Sequence, residues 1–578
     1  MTGLLSRPGS PRTEAAGLVD ASLALARRHW VLVALMAAGV VLRVLAQIAY
    51  RPALFYIDTI KYLYNAYPGS DPVGYKAPLR AILAVGGLST VTAVQHLLGL
   101  AMAAAIYVML LRRGAPRWLA AIAAAPVLLD AYQIQIEQTI MPDVWFEAAL
   151  VAAIAALLAA GPAQSPASTA QTGGEQPGQA GTGQVSIGQT STGQVSIGQA
   201  STGPASNAQV GDGQAGDGQA GDGQVSARRA SNGQRRLPRG LAVVVAGLLL
   251  GASATVRQVG EILILPALLY VVAVGGGWRT VLARAAALTV AFAVPVVGYM
   301  AGSYVISGHL WLASATPSLA TYGRMATAAD CAALRIPRYE RALCPTAQQR
   351  AYGIDWLDHD AASPLKMYAA PAGMNRYAVI ASFDHQVAEQ QPLRVARAIA
   401  GDGLKLFALT RTSSQEGTPI SRWQFQEFYP TYGNWVMLDR HLTIVLGLRL
   451  TPGSPTITLH PLDRGYGGRA AVDKPIAAAL RAYQLHGGYA PGPLMAVFAL
   501  AGLAGSVLAL VRRPAGQRRG LGLACLAFFA TGAAVLIASD AFQFSWRYQL
   551  PALVTLPPAG VAALAIAGHY LFSRRSAS

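Results

Sequence analysis

Long apolar runs alternate with short polar segments along most of the chain. Most runs are close to the roughly 20 residues that an α-helix needs to cross a hydrocarbon core of about 30 Å. A further apolar stretch, Pro78–Leu88, is too short to cross and is expected to form an interfacial or re-entrant helix. The pattern predicts about ten transmembrane helices, at Trp30–Tyr50, Val91–Leu111, Pro116–Leu129, Val144–Ala160, Leu237–Ala254, Glu261–Val274, Val281–Val305, Pro493–Val511, Leu521–Ser539 and Leu550–Phe572.

Two longer segments interrupt this pattern. Residues 161–236 repeat short phrases rich in Gly, Gln, Ser and Ala and contain no aromatic residue, so they predict a disordered linker. Residues 307–492 mix short apolar runs with Pro, Tyr and Trp, and they are long enough for a domain. The predicted organisation is a membrane region over 1–160, the linker, three spans over 237–306, the domain over 307–492, and three spans with a tail over 493–578.

Composition agrees with a membrane protein. Hydrophobic residues make up 53% of the chain and charged residues only 12%, where soluble proteins carry about 25% charged residues. The predicted fold class is an all-α polytopic membrane protein with a mixed extracytoplasmic domain between the seventh and eighth spans.

The formal net charge of +18 bears on orientation rather than on nucleic-acid binding. Arginine pairs stand in the short loops at alternate ends of the ten predicted spans, for example at Arg112–Arg113 and Arg518–Arg519. Basic loops face the cytoplasm in multi-pass proteins. We therefore expect a cell-membrane protein with both termini and the linker in the cytoplasm and the domain over 307–492 outside.

The three cysteines fit this topology. Cys331 and Cys344 lie close together in the predicted outer domain, where a disulfide is expected. Cys525 lies within an apolar run and is expected to be a small buried side chain.

The first outer loop carries the most informative polar residues. Asp58 follows the first span among tyrosines, and Lys76 begins the short apolar stretch. A carboxylate at a partly desolvated membrane edge can serve as a general base, and an ammonium group there can meet a lipid phosphate. The alternative is an ordinary loop with interfacial tyrosines.

The order of these elements resembles the GT-C superfamily of glycosyltransferases, which use polyprenyl-phosphate sugars and include protein O-mannosyltransferases and aminoarabinose transferases. In that family the first outer loop carries the catalytic Asp, followed by a Pro-Pro-Leu-like motif. The counterparts here are Asp58 and Lys76-Ala77-Pro78-Leu79, with an alanine in place of one proline. Arg43 matches an arginine near the end of the first span.

Three further segments extend the resemblance. Asp130–Asp143 resembles the second outer loop of the family and offers Glu137 and Asp143 as supporting, acceptor or metal residues. Val256–Glu261 and Trp546–Pro551 resemble its arginine-containing outer turns, with Arg257, Arg547 and the neighbouring Tyr548. Guanidinium groups bind phosphate bidentately, so Lys76, Arg257 and Arg547 are expected to bind the donor phosphate. Juxtamembrane arginines that only contact lipid headgroups or cap a helix are the alternative.

The resemblance implies an inverting glycosyltransferase with Asp58 as its base. The implied partners are a polyprenyl-phosphate-linked sugar, an extracytoplasmic acceptor and the bilayer, without nucleic acid. It implies no certain cofactor and leaves open a divalent cation, Mg or Mn. A transporter or lipid flippase is the alternative. Its signature would be ionisable residues near the midplane, where His96 and Glu147 are the exceptions to an otherwise apolar pattern and are expected to pair with neighbouring helices.

Overall fold

The computed structural model describes residues 23–56, 58–63, 72–161, 238–313, 317–412, 418–428, 435–438, 443–446, 457–459, 471–512 and 516–575. The predicted linker falls outside these residues from position 162 to position 236. The helices are α1 Trp30–Ala49, α2 Thr59–Leu63, α3 Lys76–Leu83, α4 Leu88–Arg112, α5 Arg117–Leu129, α6 Ala131–Glu137, α7 Asp143–Ala160, α8 Arg239–Val256, α9 Ile264–Val274, α10 Trp278–Ser307, α11 Pro317–Ala328, α12 Ala347–Ala351, α13 Ile354–His359, α14 Pro364–Met367, α15 Arg376–Gln390, α16 Pro392–Lys405, α17 Lys474–Leu485, α18 Gly492–Val511, α19 Gly516–Phe542 and α20 Pro551–Arg575.

The predicted all-α polytopic membrane fold is confirmed. Within the described residues, eight helices are long and apolar enough to cross a membrane, or nine if one bent pair counts as a single span. The bent pair is α5 with α6, which meet at 55° where Asp130 ends one helix and caps the next. The predicted span Glu261–Val274 is a 3-10 turn, Gln258–Leu263, followed by α9, and it is shorter than the others. Among the described residues, eight of the about ten predicted spans are thus single long helices, and the other two correspond to the bent pair and to the short apolar helix.

Proline residues mark several helix starts. Pro238 directly precedes α8, Pro551 is the first residue of α20, and α18 has a proline in its first turn. Proline is favoured there because the first N–H groups of a helix have no partner within the helix.

The bundle has a buried centre and a lipid-facing rim. Helix α7 is buried along most of its length, as are α19 and α20. By contrast, α10 leaves Val290, Val294 and Val297 between 56% and 65% exposed. Such a row of exposed valines on a 30-residue helix suits contact with lipid tails, not water.

The segment between α10 and α18 is mainly helical, with a hydrophobic core of its own. Tyr322, Leu343, Ile380 and Phe383 are among its fully buried side chains. Its strands are short: β2 Trp435–Leu438, β3 Thr443–Leu446 and β4 Ile457–Leu459 form an antiparallel sheet, with Trp435 opposite Leu446 and Ile444 opposite Leu459. A second strand pair joins β1, Tyr50–Arg51 at the end of α1, to β5, Ala471–Val472. This pair joins the segment to the start of the first loop.

Cys331 and Cys344 form a disulfide in this segment. Cys525 is a free, buried cysteine in α19.

Candidate active site

A cavity of about 540 Å³ lies where the ends of α7, α8 and α19 meet the segment between α10 and α18. Its membrane side is formed by residues of the first outer loop and of the turns after α8 and α19. Its opposite side comes from the residues around α13 and α14 and from the 3-10 turn Ile420–Trp423. The charged lining residues are Asp58, Arg257, Asp355, Asp358, Lys366, Arg422 and Arg547, with His359 beside them.

A chain of alternating charges runs along the membrane side of this cavity. Arg547 Nη1 donates to Asp58 Oδ2 at 3.0 Å, and its Nε lies 3.0 and 3.1 Å from the two carboxylate oxygens of Asp143. Asp143 also pairs with Arg257. Two carboxylates thus face two guanidinium groups from four different parts of the chain. The two carboxylates differ in exposure, since Asp58 keeps 28% of its side chain exposed and Asp143 only 1%.

Local structure holds each of these residues in place. Asp143 is the first residue of α7, where the helix dipole favours negative charge. Arg257 ends α8 in an extended conformation, which turns its side chain out of the helix. The loop before Asp58 is tied down by Thr59, whose hydroxyl donates to Ile140 O at 3.0 Å and accepts from Tyr56 N at 2.9 Å.

Aromatic rings enclose the shared arginine. The guanidinium carbon of Arg547 lies 5.4 to 5.8 Å from the ring centres of Tyr56, Trp423 and Tyr548. Tyr548 also packs 4.9 Å from Arg257. Cation–π contact with several rings restrains a guanidinium without using its hydrogen-bond donors. Arg547 Nη2 makes no hydrogen bond within the described residues, so its N–H groups are available to an anionic ligand.

Electrostatics fix the charge of this arginine. Burial alone would lower the pKa of Arg547, but the carboxylates of Asp143 and Asp58 outweigh burial and hold the pKa well above its usual value. Burial, with a further contribution from Asp58, raises the pKa of Tyr56 to about 12. Arg547 is therefore a permanent cation, and the Tyr56 hydroxyl stays protonated at neutral pH.

Five of the residues expected from the sequence belong to this charge network or contact it: Asp58, Asp143, Arg257, Arg547 and Tyr548. Sequence reasoning missed Tyr56, Arg422 and Trp423, which line the same cavity. Arg422 pairs with Asp355 at 3.3 Å. The dipeptide Arg422-Trp423 stands in a polar segment without periodicity, so no sequence signal placed it opposite the first loop.

Lys76 and Glu137 lie elsewhere. Glu137 is completely buried between helices, where its carboxylate accepts from Arg43 Nη2 at 2.8 Å and lies 2.9 Å from His96 Nδ1. Lys76 is 8% exposed, and its Nζ has no hydrogen-bond partner among the described residues. Neither side chain lines the cavity.

The donor set at the cavity does not fit a divalent cation. Among the described residues, no three His, Cys, Asp or Glu side chains are placed to hold a metal ion. The two carboxylates on the membrane side already face guanidinium groups, so we derive no step through a cation.

The sequence matches no family model, and no curated protein is similar enough to indicate a relationship. One solved structure is similar in outline: the archaeal oligosaccharyltransferase AglB from Archaeoglobus fulgidus, in complex with an inhibitory peptide and a dolichol-phosphate. The TM-score is 0.32 at 13% identity, over 95% of this chain. The chain spans about half the length of that protein, 52%. A TM-score this low does not indicate a shared function.

Proposed function

We propose that this protein is an inverting glycosyltransferase that moves a sugar from a polyprenyl-phosphate donor to an acceptor hydroxyl on the extracytoplasmic side. The observation that carries the proposal is the partly exposed carboxylate of Asp58 beside the permanently charged Arg547, in a cavity at the ends of membrane helices. A carboxylate able to accept a proton and two cations able to bind phosphate thereby border one cavity at the ends of membrane helices, which supports the proposal.

In the proposed reaction Asp58 removes the proton of the acceptor hydroxyl. The oxygen attacks the anomeric carbon from the face opposite the phosphate, with inversion, and the bond between that carbon and the phosphate oxygen breaks. The electron pair leaves with the polyprenyl phosphate. The transition state resembles an oxocarbenium ion, as in glycoside hydrolysis.

The fixed cations stabilise the leaving group. Arg547 and Arg257 both line the cavity, and contacts with Tyr548 and Asp143 hold their guanidinium groups there. Preorganised donors of this kind are worth about 3 to 4 kcal/mol each in transition-state stabilisation. Asp143 is a positioning residue in this scheme, because it is buried between both arginines.

The acceptor is proposed to enter on the side formed by α13, α14 and the turn Ile420–Trp423. That side presents Lys366, Arg422 and His359 with Asp355 and Asp358. This mixed polar surface suits a hydroxyl-rich acceptor, namely a cell-envelope glycan, a lipid headgroup or a protein. The proposal places the protein in the cell membrane with this cavity outside and both termini in the cytoplasm.

Replacing Asp58 by Asn tests the proposal. The variant keeps the shape of the side chain and its contact with Arg547 but cannot accept a proton. Turnover of a radiolabelled polyprenyl-phosphate sugar in purified membranes is expected to fall about 10²- to 10⁴-fold, the usual contribution of a general base.

Asp360→Asn is the matched control, because Asp360 is an exposed aspartate close to the cavity that does not line it. Its turnover is expected to equal that of the unmodified protein. Full activity in Asp58→Asn, at equal protein amounts, would remove Asp58 from the reaction.

A further inference from the structure

A second pocket lies at the other end of the helix bundle. It has a volume of about 330 Å³ and is lined by the last residue of α7, the first of α8, the turn between α9 and α10, and one residue each of α10 and α19. The lining residues are Ala160, Arg239, Val274, Gly275, Gly276, Arg284 and Arg519. We call this the basic pocket.

The basic pocket is remote from the candidate active site. Helix α7 begins at Asp143, which pairs with Arg547, and ends at Ala160 in the basic pocket. A helix of 18 residues is about 27 Å long at 1.5 Å per residue. The two sites are thus separated by about the thickness of a hydrocarbon core, and the basic pocket is on the side that the arginine-rich loops predict to be cytoplasmic.

Three arginines from three helices supply the charge of the basic pocket, and none of its lining residues is acidic. Arg519 donates from Nη2 to the carbonyl of Val274 at 2.7 Å, which holds its guanidinium at the edge of the pocket. Arg239 and Arg284, within the described residues, form no side-chain hydrogen bond or ion pair. A concave site with three cations and no internal counter-charge is suited to an anion.

Two adjacent glycines, Gly275 and Gly276, line part of the pocket. Gly275 and Gly276 have φ values of 75° and 133°, a conformation that side-chain-bearing residues rarely adopt. The absence of Cβ atoms leaves the backbone of this turn open to a ligand between Arg284 and Arg519.

We propose that the basic pocket binds a phosphate group, as the headgroup of an anionic phospholipid of the inner leaflet or as free phosphate. Basic pockets between transmembrane helices on the cytoplasmic side are suited to such headgroups, and guanidinium groups bind phosphate oxygens through paired N–H donors. Because the pocket joins the ends of α7 and α8, whose other ends carry Asp143 and Arg257, its ligand stabilises the two helices that hold the candidate active site.

The test uses the full-length protein, delipidated in detergent, with native mass spectrometry as the readout. Phosphatidylglycerol, phosphatidylcholine and inorganic phosphate are titrated separately. Phosphatidylglycerol is expected to stay bound at one molecule per protein, in preference to phosphatidylcholine. Inorganic phosphate that binds alone and displaces the lipid would identify free phosphate as the ligand of the same chemistry.

Arg239→Gln/Arg284→Gln is the test variant, because neither side chain holds part of the fold together. Its affinity for the phosphate ligand is expected to fall about tenfold or more, given the typical effect of each arginine at an anionic surface. The matched control is Arg112→Gln/Arg279→Gln, which removes the same charge from the same ends of the bundle at exposed positions outside the pocket. The control is expected to bind as the unmodified protein does.

Two results would overturn the proposal. One is equal binding of phosphatidylglycerol and phosphatidylcholine together with no binding of phosphate. The other is an equal loss of affinity in both double variants, which would mean that general surface charge, not the pocket, attracts the lipid. If the double variant does not purify, Arg284→Gln alone is compared with Arg279→Gln in the same titration.

Discussion

Two of the arginine–carboxylate networks among the described residues differ in what surrounds them. The intramembrane network joins Arg43, His96 and Glu137, and its carboxylate is fully buried. The cavity network joins Asp58, Arg547, Asp143 and Arg257, and it ends on a carboxylate that is 28% exposed. Both contain the same functional groups at similar distances.

In the intramembrane network, protein groups contact both carboxylate oxygens of Glu137. Arg43 also donates to the carbonyls of Val127 and Leu128 at 3.0 and 2.9 Å, where α5 approaches its bend. His96 lies between Glu137 and the amide oxygen of Gln138, at 2.9 and 2.8 Å. Every strong acceptor there faces a protein donor, so Glu137 has no room for a substrate. Asp58 and the free nitrogen of Arg547, in contrast, border a cavity, which is why we assign chemistry to one network and architecture to the other.

The largest expected effect comes from breaking the cavity network at its shared arginine. Arg547→Lys keeps the positive charge, but a single ammonium cannot bridge Asp58 and Asp143 as the planar guanidinium does. The kcat for sugar transfer is expected to fall about 10²- to 10³-fold, the usual cost of one lost transition-state donor.

Arg394→Lys is the control for that measurement, since Arg394 lies outside the cavity and its ion pair with Asp330, at 3.6 Å, is exposed. Unchanged kcat in Arg547→Lys would mean that a point charge suffices and that the two contacts of the guanidinium are not required.

The next effect comes from breaking the intramembrane network. Glu137→Gln leaves the buried Arg43 without its counter-charge, and the free energy of unfolding is expected to drop by about 3 to 5 kcal/mol. Thermal unfolding in detergent measures it, and activity per folded molecule should persist. Asp58→Asn, whose side chain is partly solvated, should lose no more than about 1 kcal/mol. The comparison fails if Glu137→Gln stays stable but loses turnover.

Two buried carboxyl groups without an arginine partner among the described residues, Asp358 and Asp384, extend the comparison to the pH dependence of stability. Burial, with the neighbouring Asp384 adding to it, raises the pKa of Asp358 to about 8, and burial raises the pKa of Asp384 to about 7. Both values exceed the unfolded value of about 3.9. The folded protein therefore holds more protons than the unfolded chain between pH 4 and 8, roughly, and its stability must fall as pH rises through this window.

Asp358→Asn/Asp384→Asn should remove most of this slope. Between pH 5 and pH 8 the free energy of unfolding, measured from melting curves, is expected to fall by up to about 6 kcal/mol more in the unmodified protein than in the variant. The amide introduced at position 358 would keep an acceptor for Gly323 N, which donates to Asp358 at 2.8 Å. Parallel curves for the two proteins would show that neither carboxyl group titrates in this range.

The smallest expected effect concerns Lys76. Burial first, and Arg80 second, lower the pKa of Lys76 to about 8. If its unpartnered ammonium meets the donor phosphate, as the sequence suggested, Lys76→Met should raise KM for the donor about tenfold and leave kcat unchanged. Arg80→Gln, an exposed change on the same helix, is the control. An unchanged KM would confine donor binding to Arg257 and Arg547.

Much of the fold could be predicted from the sequence. The apolar runs gave helices at all ten predicted positions, eight of them long enough to cross a bilayer on their own, and the short run after Lys76 became α3. These features are local, because length, hydropathy and proline position act within one segment. The bend at Asp130 could not be predicted from the sequence. Its carboxylate accepts a hydrogen bond of 2.6 Å from Arg411, which is far away in the sequence.

The candidate site likewise contains residues that the sequence predicted and residues that it did not. Sequence order and resemblance singled out Asp58, Asp143, Arg257 and Arg547, which tertiary packing brings into one chain of charges. The sequence treated Glu137 as equivalent to Asp143, although Glu137 pairs with Arg43 inside the bundle whereas Asp143 pairs with the two arginines that line the cavity. The sequence did not predict that Tyr56, Arg422 and Trp423 line the same cavity.

What the sequence by itself determined is therefore the membrane-spanning pattern and the set of polar residues at helix ends. What only the tertiary structure decided is which carboxylate is neutralised inside the protein and which one borders open space. The physical reason is that hydropathy is a property of a segment, whereas the exposure and the counter-charges of a carboxylate depend on side chains that lie hundreds of residues away in the chain, as Asp58 and Arg547 do.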